Sequence, residues 1–350
     1  MAVFGTGYYP TLSNIIKTTD PNGDIAPVVE LLQQTNAPLL DIPFGEGNLP
    51  TGEQTTVRTG IPTGVWRKWY QGVPSGKSEY AQITDVCGNL EARAEIDKDA
   101  ADFNGNSKPF RMIEALGQIE GMNQQMMTAL LYGDVTLHPE QFNGIMPRYS
   151  AISGAANAQN IIDAGGTGAD NTSILLVCWG RQSVFGIYPK GSKVGLSHQD
   201  LGEIDIRDSN GDNFRGYADI WKWKVGLCVK DWRYIVRICN IDVSNLVAES
   251  SAADLIKLMI KAMYRVPALG ISQTGIKNVA ANGAAPILMA TNPVFYCNRT
   301  ISEMLHIQSL NKAIYMLEPG NDVYGRPVTS CLGIPIRTCD QMLLTESRIQ

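Results

Sequence analysis

Apolar and polar residues alternate along several stretches of the chain at the period of a strand. In EYAQITD, Glu79, Ala81 and Ile83 alternate with Tyr80, Gln82 and Thr84. In WKWKVGLCVK, Trp221, Trp223, Val225, Leu227 and Val229 oppose Lys222, Lys224, Gly226, Cys228 and Lys230. A period of two places each set on one face of a strand. RYIVRICNI is expected to return beside the second stretch after a turn near Asp231, making a strand pair over 217–241. SILLVCW (173–179), SVFGIYP (183–189), PILMA and VFYCN (286–298) predict further buried strands.

Elsewhere the period is helical. Met112, Leu116, Ile119, Met126 and Leu130 recur every three or four residues behind Ser107 and Pro109, and Gly133 supplies a stop. This predicts a helix over about 108–132, whose internal Gly117 and Gly121 imply close packing against another element. EARAEIDKDAADFN upstream suggests a shorter helix. SAADLIKLMIKAMYRV (251–266), with Leu255, Leu258, Met259, Ala262 and Met263 on one face behind a serine cap, predicts another. NRTISEMLHIQSLNK predicts a third. The last forty residues should alternate short strands (AIYML, PVTSC, IPIRTC) with turns such as EPGND. The fold class is therefore α+β.

Two segments lack a sustained period. Residues 1–42 carry four prolines and short apolar clusters, among them VVELLQQ (28–34), and read as an arm lying on something else. In residues 43–86, glycine or proline recurs at 43, 45, 47, 50, 52, 60, 62, 64, 72, 74 and 76, around strand-like QTTVRT and VWRKWYQ. Such a stretch predicts a long hairpin without a core of its own, and long insertions of this kind are usually functional.

Charge and chemistry narrow the function. Charged residues are 18% of the chain, and the net charge of −5 gives no overall basic footprint for nucleic acid. Seven cysteines (87, 178, 228, 239, 297, 331, 339) form no C-x-x-C pair, and three histidines (138, 198, 306) are scattered. Free buried thiols are expected, with no structural zinc site. MAVFGTGYYP has neither the basic nor the apolar region of a signal peptide, and no apolar run is long enough to span a membrane.

GVPSGKS (72–78) suggests a phosphate-binding loop, but Gln71 stands where its first glycine belongs, and a strand pattern follows. RDSNGDN (207–213) and DPNGD (20–24) fail as calcium loops, because Ile206 and Thr18 fall at the first ligand position. GGTGAD (165–170) precedes a strand and lacks the third glycine of a dinucleotide fingerprint. No nucleophile elbow or zinc-protease pair occurs. No catalytic, cofactor-binding or metal-binding residue is assigned, and no enzyme is expected.

The block VRTGIPTGVWRKWYQGVPSGKSEYAQITD (57–85), followed by EARAEIDKDAADFNGN (91–106), resembles the major capsid proteins of tailed bacteriophages. The similarity is to the short-tailed group typified by phage epsilon-fifteen, which has the Hong Kong 97 capsid fold. It continues through RMIEALGQIEGMNQQMMTALLYGD, FNGIMPRYS (142–150), WKWKVGLCVKDWRYIVRICNID, FYCNRTISEML and GIPIRTCDQML, in order along nearly the whole chain.

The resemblance implies an N-terminal arm (1–42), an extended loop (43–86) and a peripheral domain (87–148) around a spine helix. It further implies a β-rich segment (149–245), with strands 217–241 rejoining the peripheral domain, and an axial domain (246–350). It implies self-assembly into pentamers and hexamers of an icosahedral virion shell around double-stranded DNA, touched without sequence preference. A separate scaffolding protein, a portal and a cementing or decoration protein are the implied partners, no membrane is involved, and assembly is expected in the cytoplasm of the bacterial host. No motif for a covalent cross-link is present.

On this reading the extended loop contacts a neighbouring subunit through Arg58, Trp66, Arg67, Lys68, Trp69 and Tyr70, residue types that dominate interface hot spots. An encapsulin-like or other virion structural protein is the alternative. An enzyme or sugar-binding protein with an unrecognised site is a further one.

Overall fold

The two apolar runs at 171–179 and 235–242 become adjacent antiparallel strands in a computed structural model of the chain. The structure describes residues 32–102, 107–207, 211–250, 253–267, 292–310, 317–321 and 327–350. The described chain divides into two units. Most of the arm and of AIYML, all of DPNGD and PILMA, and Asp208–Asn210 of RDSNGDN lie outside the described residues.

The larger unit comprises 36–88, 129–194 and 225–350. Its centre is β5 (Asn171–Trp179), in which every residue is buried, paired with β9 (Ile235–Asp242) on one side and β10 (Asn292–Cys297) on the other. A strand covered on both faces has no polar face to show, which is why these runs are mainly apolar and do not alternate. β4 (Ile161–Asp163) extends the sheet beyond β9, and β13 (Ile334–Thr338) extends it beyond β10. Helix α2 (Leu255–Met263) packs on β9 and on α3 (Arg299–Leu310). Its N-cap is Asp254, whose carboxylate accepts from the Lys257 amide at 3.2 Å, where a serine cap is expected from sequence.

Among the described residues, the smaller unit holds 32–35, 89–128 and 195–224. Three elements run from one unit into the other: strand β3 (Glu79–Asp97), helix α1 (Ser107–Tyr132) and strand β8 (Asn213–Val229). Helix α1 has 26 residues, roughly 39 Å at 1.5 Å per residue. In the smaller unit, Ala94, Met122 and Trp221 pack together, as do Ile96, Ala101 and Phe110. β7 (Leu196–Arg207) forms an antiparallel hairpin with β8, bulged between Asp200 and Gly202.

Several expectations are corrected. EARAEID is strand, not helix, and among the described residues of that stretch only Lys98–Ala101 forms a helical turn, capped by Asp97. Leu90, Ala92, Ala94 and Ile96 alternate inward, and that burial outweighs the helix propensity of alanine and glutamate. The stretches 217–229 and 235–242 are both strands but not partners: β8 pairs with β3, β6 (Val184–Tyr188) and β7, while β9 pairs with β4 and β5. LEPGN (317–321) is a strand, β11, paired with β12 (Pro327–Cys331), in place of the expected turn. Met112 and Leu116 are exposed, and Phe110 and Met122 bury the first half of α1 instead. Gly117 and Gly121 face open space, so no packing explains them.

All seven cysteines are free thiols. Burial pushes Cys178, Cys297 and Cys339 up to about 12, and burial with the nearby Asp85 charge pushes Cys87 up to about 11. Thiolate is the reactive form. A thiol reagent should therefore find almost no reactive cysteine in the native protein at neutral pH and seven after denaturation. A disulfide in stoichiometric yield on non-reducing mass spectrometry would contradict this.

Candidate functional site

Strands β2 (Gly52–Gly60) and β3 pair antiparallel from Gly52↔Val86 to Gly60↔Glu79, and residues 61–78 join them at the tip. The ladder explains the sequence of its flanks, where Thr55, Val57 and Ile83 suit a strand. Prolines at 62 and 74, and glycines at 64, 72 and 76, keep the tip irregular. GVPSGKS lies in this tip, and Ser78 is followed directly by strand β3, not by the helix a phosphate loop opens.

The tip turns over at Lys68–Gln71. The Gln71 amide donates to the Lys68 carbonyl at 3.2 Å, and Arg67 Nη1 donates to the Gln71 carbonyl at 3.2 Å. Tyr70 holds a left-handed backbone, φ 65°, which costs a non-glycine residue about 1–2 kcal/mol. The turn splays its aromatic side chains outward: Trp66 is 103% exposed, Trp69 90% and Tyr70 104%. Lower down, Arg58 Nη2 donates to the Tyr80 hydroxyl at 3.3 Å, its guanidinium 5.4 Å from the ring centroid. That contact lowers the Tyr80 hydroxyl below the usual tyrosine range.

The six residues singled out from sequence therefore share one hairpin: Trp66, Arg67, Lys68, Trp69 and Tyr70 at its tip, and Arg58 on strand β2. Sequence reasoning passed over Ile61, Val65, Val73 and Tyr80, which are exposed on the same hairpin. The available signal was their position in the same glycine- and proline-rich stretch. From Gln54 to Ser78 the chain carries Arg58, Arg67, Lys68 and Lys77 and no carboxylate, in a protein of net charge −5. Clustered exposed aromatics of this kind mark an interaction surface.

A second surface lies within the smaller unit, where Met112, Ala115, Ile119 and Leu196 line a groove beside Trp221. His198 stacks on Trp221 with ring centroids 5.2 Å apart, and its Nε2 lies 2.9 Å from Asp219 Oδ1. Arg111 holds the same Asp219 at 3.0 Å and Asp200 at 2.8 Å. No serine, threonine or cysteine lines this groove to act as nucleophile for the His–Asp pair. Among the described residues, no cluster of three or more His, Cys, Asp or Glu side chains is arranged to hold a metal ion, and no helix is long and apolar enough to cross a membrane.

A family model described as major capsid protein GP7 matches residues 20–350. The chain is similar over 100% of its length to 99% of a chain in the near-atomic cryo-EM structure of bacteriophage epsilon15, with 34% identity and a TM-score of 0.74. A chain of Microbacterium phage Oxtober96 aligns with 65% of this chain and 98% of its own, at 11% identity and a TM-score of 0.43. The SrpI encapsulin of Synechococcus elongatus aligns with 61% of this chain and 91% of its own, at 11% identity and a TM-score of 0.40. No curated protein sequence matches the chain.

Proposed function

Because the chain belongs to the major capsid protein GP7 family, and is thus a shell-forming structural protein of a phage virion, we propose that the 54–78 hairpin is the grip by which one copy holds the next. The observation that carries this reading is the full exposure of Trp66, Trp69 and Tyr70 on a projecting, uniformly basic hairpin. Large aromatic side chains left in water gain by burial, at about 25 cal/mol per Å² of apolar surface. Arg58, Arg67 and Lys68 supply charge suited to an acidic partner surface. The smaller unit's segments 89–128 and 195–224 have that character, with thirteen carboxylates against eight lysines and arginines.

The domain reading follows from the same architecture. The smaller unit, built around the first part of α1, corresponds to a peripheral domain with its spine helix. The larger unit's β5, β9 and β10 with α2 and α3 would supply the axial domain, a reading supported by their lying in one unit. On this reading β8 up to Lys224 goes with the peripheral domain and β9 with the axial domain, in keeping with the division of the chain into units at Lys224/Val225. The arm (1–42) and the hairpin would both serve neighbouring copies.

The role is structural and without catalysis, with a separate scaffolding protein, a portal and a cementing or decoration protein as partners in the host cytoplasm. Packaged double-stranded DNA would meet the shell through scattered lysines and arginines, without sequence preference. Such phosphate contacts weaken steeply as salt rises, which a salt titration of DNA binding reads directly.

Expressed with its assembly partners and examined by sedimentation and negative-stain microscopy, the protein should form closed shells in the megadalton range. A small, stable oligomer that never closes would contradict the assembly reading and return the enzyme or binding-protein alternatives.

A further inference from the structure

Exposure along the hairpin changes abruptly at one pair of residues. Glu53 and Asp85 are 8% and 6% exposed, whereas every residue from Gln54 to Thr84 is partly or fully exposed. The two are register partners in the β2–β3 ladder, so their side chains leave the same face. Like charges directly opposite each other destabilise a strand pair. Here each carboxylate oxygen has its own donor, and every donor comes from outside the paired strands. Glu53 Oε1 meets Lys230 Nζ at 3.2 Å and Oε2 accepts from the Asn48 amide at 2.8 Å. Asp85 Oδ1 accepts from Arg148 Nη2 at 2.8 Å and Oδ2 from the Val229 amide at 3.2 Å.

The donors are themselves fixed. Arg148 also donates to the carbonyls of Gly144, Asn143 and Leu227. The Lys230 ammonium sits 4.9 Å from the Phe185 ring centroid. Just above the pair, the Asn48 side chain donates to the Gln54 carbonyl at 2.7 Å and accepts from the Gln54 amide at 2.8 Å, copying a ladder bond. A Cβ on Gly52 would lie 2.0 Å from the Asp85 carbonyl oxygen, so the strands meet here without room for adjustment. From Thr56 to Ile83, by contrast, the observed side-chain hydrogen bonds stay within the hairpin.

We propose that Glu53 and Asp85, clamped by Lys230 and Arg148, form the pivot that fixes the direction in which the 54–84 hairpin leaves the body. They are positioning residues: buried within their own subunit, they would aim the hairpin residues that meet a neighbour. Their relevance to assembly rests on the interface reading above, while the pivot itself is a property of the isolated subunit. A rigid aim matters because a loop that must be ordered at the moment of contact subtracts that ordering cost from the contact.

The experiment uses full-length dissociated subunits labelled through unnatural amino acids at positions 77 and 190, both exposed. Electron–electron distance measurements should give a narrow distribution in the wild type and a broad one in Glu53→Gln. The Glu53→Gln/Lys230→Met variant removes both partners, leaves no unpaired buried charge, and keeps the test open if the single variant folds poorly. It should regain wild-type thermal stability, yet keep the broad distribution and exchange the Gln54 and Val229 amides about tenfold faster. A purely structural role predicts that distribution and exchange recover with stability. That recovery, or a narrow distribution in both variants, would overturn the pivot. If Trp66 and Trp69 variants assemble normally the interface reading fails, and the distance measurement still decides the pivot.

Discussion

Truncating Trp66 or Trp69 to alanine will leave a folded subunit that assembles only at much higher concentration. Both side chains are exposed, at 103% and 90%, so neither contributes packing to its own subunit. Exposed substitutions of this kind usually change stability by no more than about 0.5 kcal/mol. In the interface reading each is a buried aromatic anchor, and loss of such an anchor commonly costs about 2 kcal/mol or more. Each copy donates one hairpin, so the loss enters once per subunit added to the shell. At about 1.4 kcal/mol per tenfold, 2 kcal/mol raises the concentration needed for assembly roughly thirtyfold. Arg67→Ala should cost less, because an exposed guanidinium is screened by salt. Circular dichroism of dissociated subunits and sedimentation of assembly mixtures provide the comparison. Wild-type shell yield and heat resistance in both tryptophan variants would refute the assignment, and an unfolded subunit would show that the rings are needed within their own chain.

The hairpin was legible in the sequence because its signal is local. Glycine and proline deny 43–86 a core, so Trp66, Trp69 and Tyr70 have nothing nearby to cover them. Strands β5 and β9 were legible because a doubly covered strand needs no polar face, which leaves the mainly apolar runs ILLVCW and IVRICNI. Helix α1 was legible in extent but not in orientation: Met112 and Leu116 keep the same helical rhythm as Met126, yet they stay exposed.

Pairing was the part that local pattern could not give. β8 and β9 are consecutive and both apolar, but the chain turns at Trp232–Tyr234 and sends β9 to β5 instead. The segment 91–97 misled because alanine and glutamate favour helix, while the alternation of Ala92, Ala94 and Ile96 was the better guide. The pivot residues had no signal at all. Glu53 and Asp85 look like surface carboxylates until Lys230 and Arg148, distant in sequence, are brought against them.

The largest loss of subunit stability is expected from Arg237→Met. Its charge was visible in the middle of the apolar run RYIVRICNI, where an unpaired guanidinium would be prohibitively costly. In the fold Arg237 is 5% exposed and Glu346 is 6% exposed, and Nη2 donates to Glu346 Oε2 at 2.8 Å. Arg237 Nη1 donates to the carbonyls of Met146 and Tyr149, and Nε reaches Ser173 Oγ at 3.1 Å. Glu346 also accepts from the Tyr132 hydroxyl at 2.6 Å and from Ser173 at 2.5 Å, and its amide donates to the Asn171 carbonyl. One ion pair therefore ties the end of the chain to β5, β9 and the end of α1. Removing one partner of a buried pair leaves the other uncompensated and costs about 3–5 kcal/mol. Arg237→Met should lower the urea midpoint of dissociated subunits accordingly. Arg237→Met/Glu346→Leu should recover a large part of the loss but not all of it, because Tyr132, Ser173 and two backbone carbonyls lose a partner. A single variant within about 1 kcal/mol of wild type would show that the pair contributes far less than its burial implies.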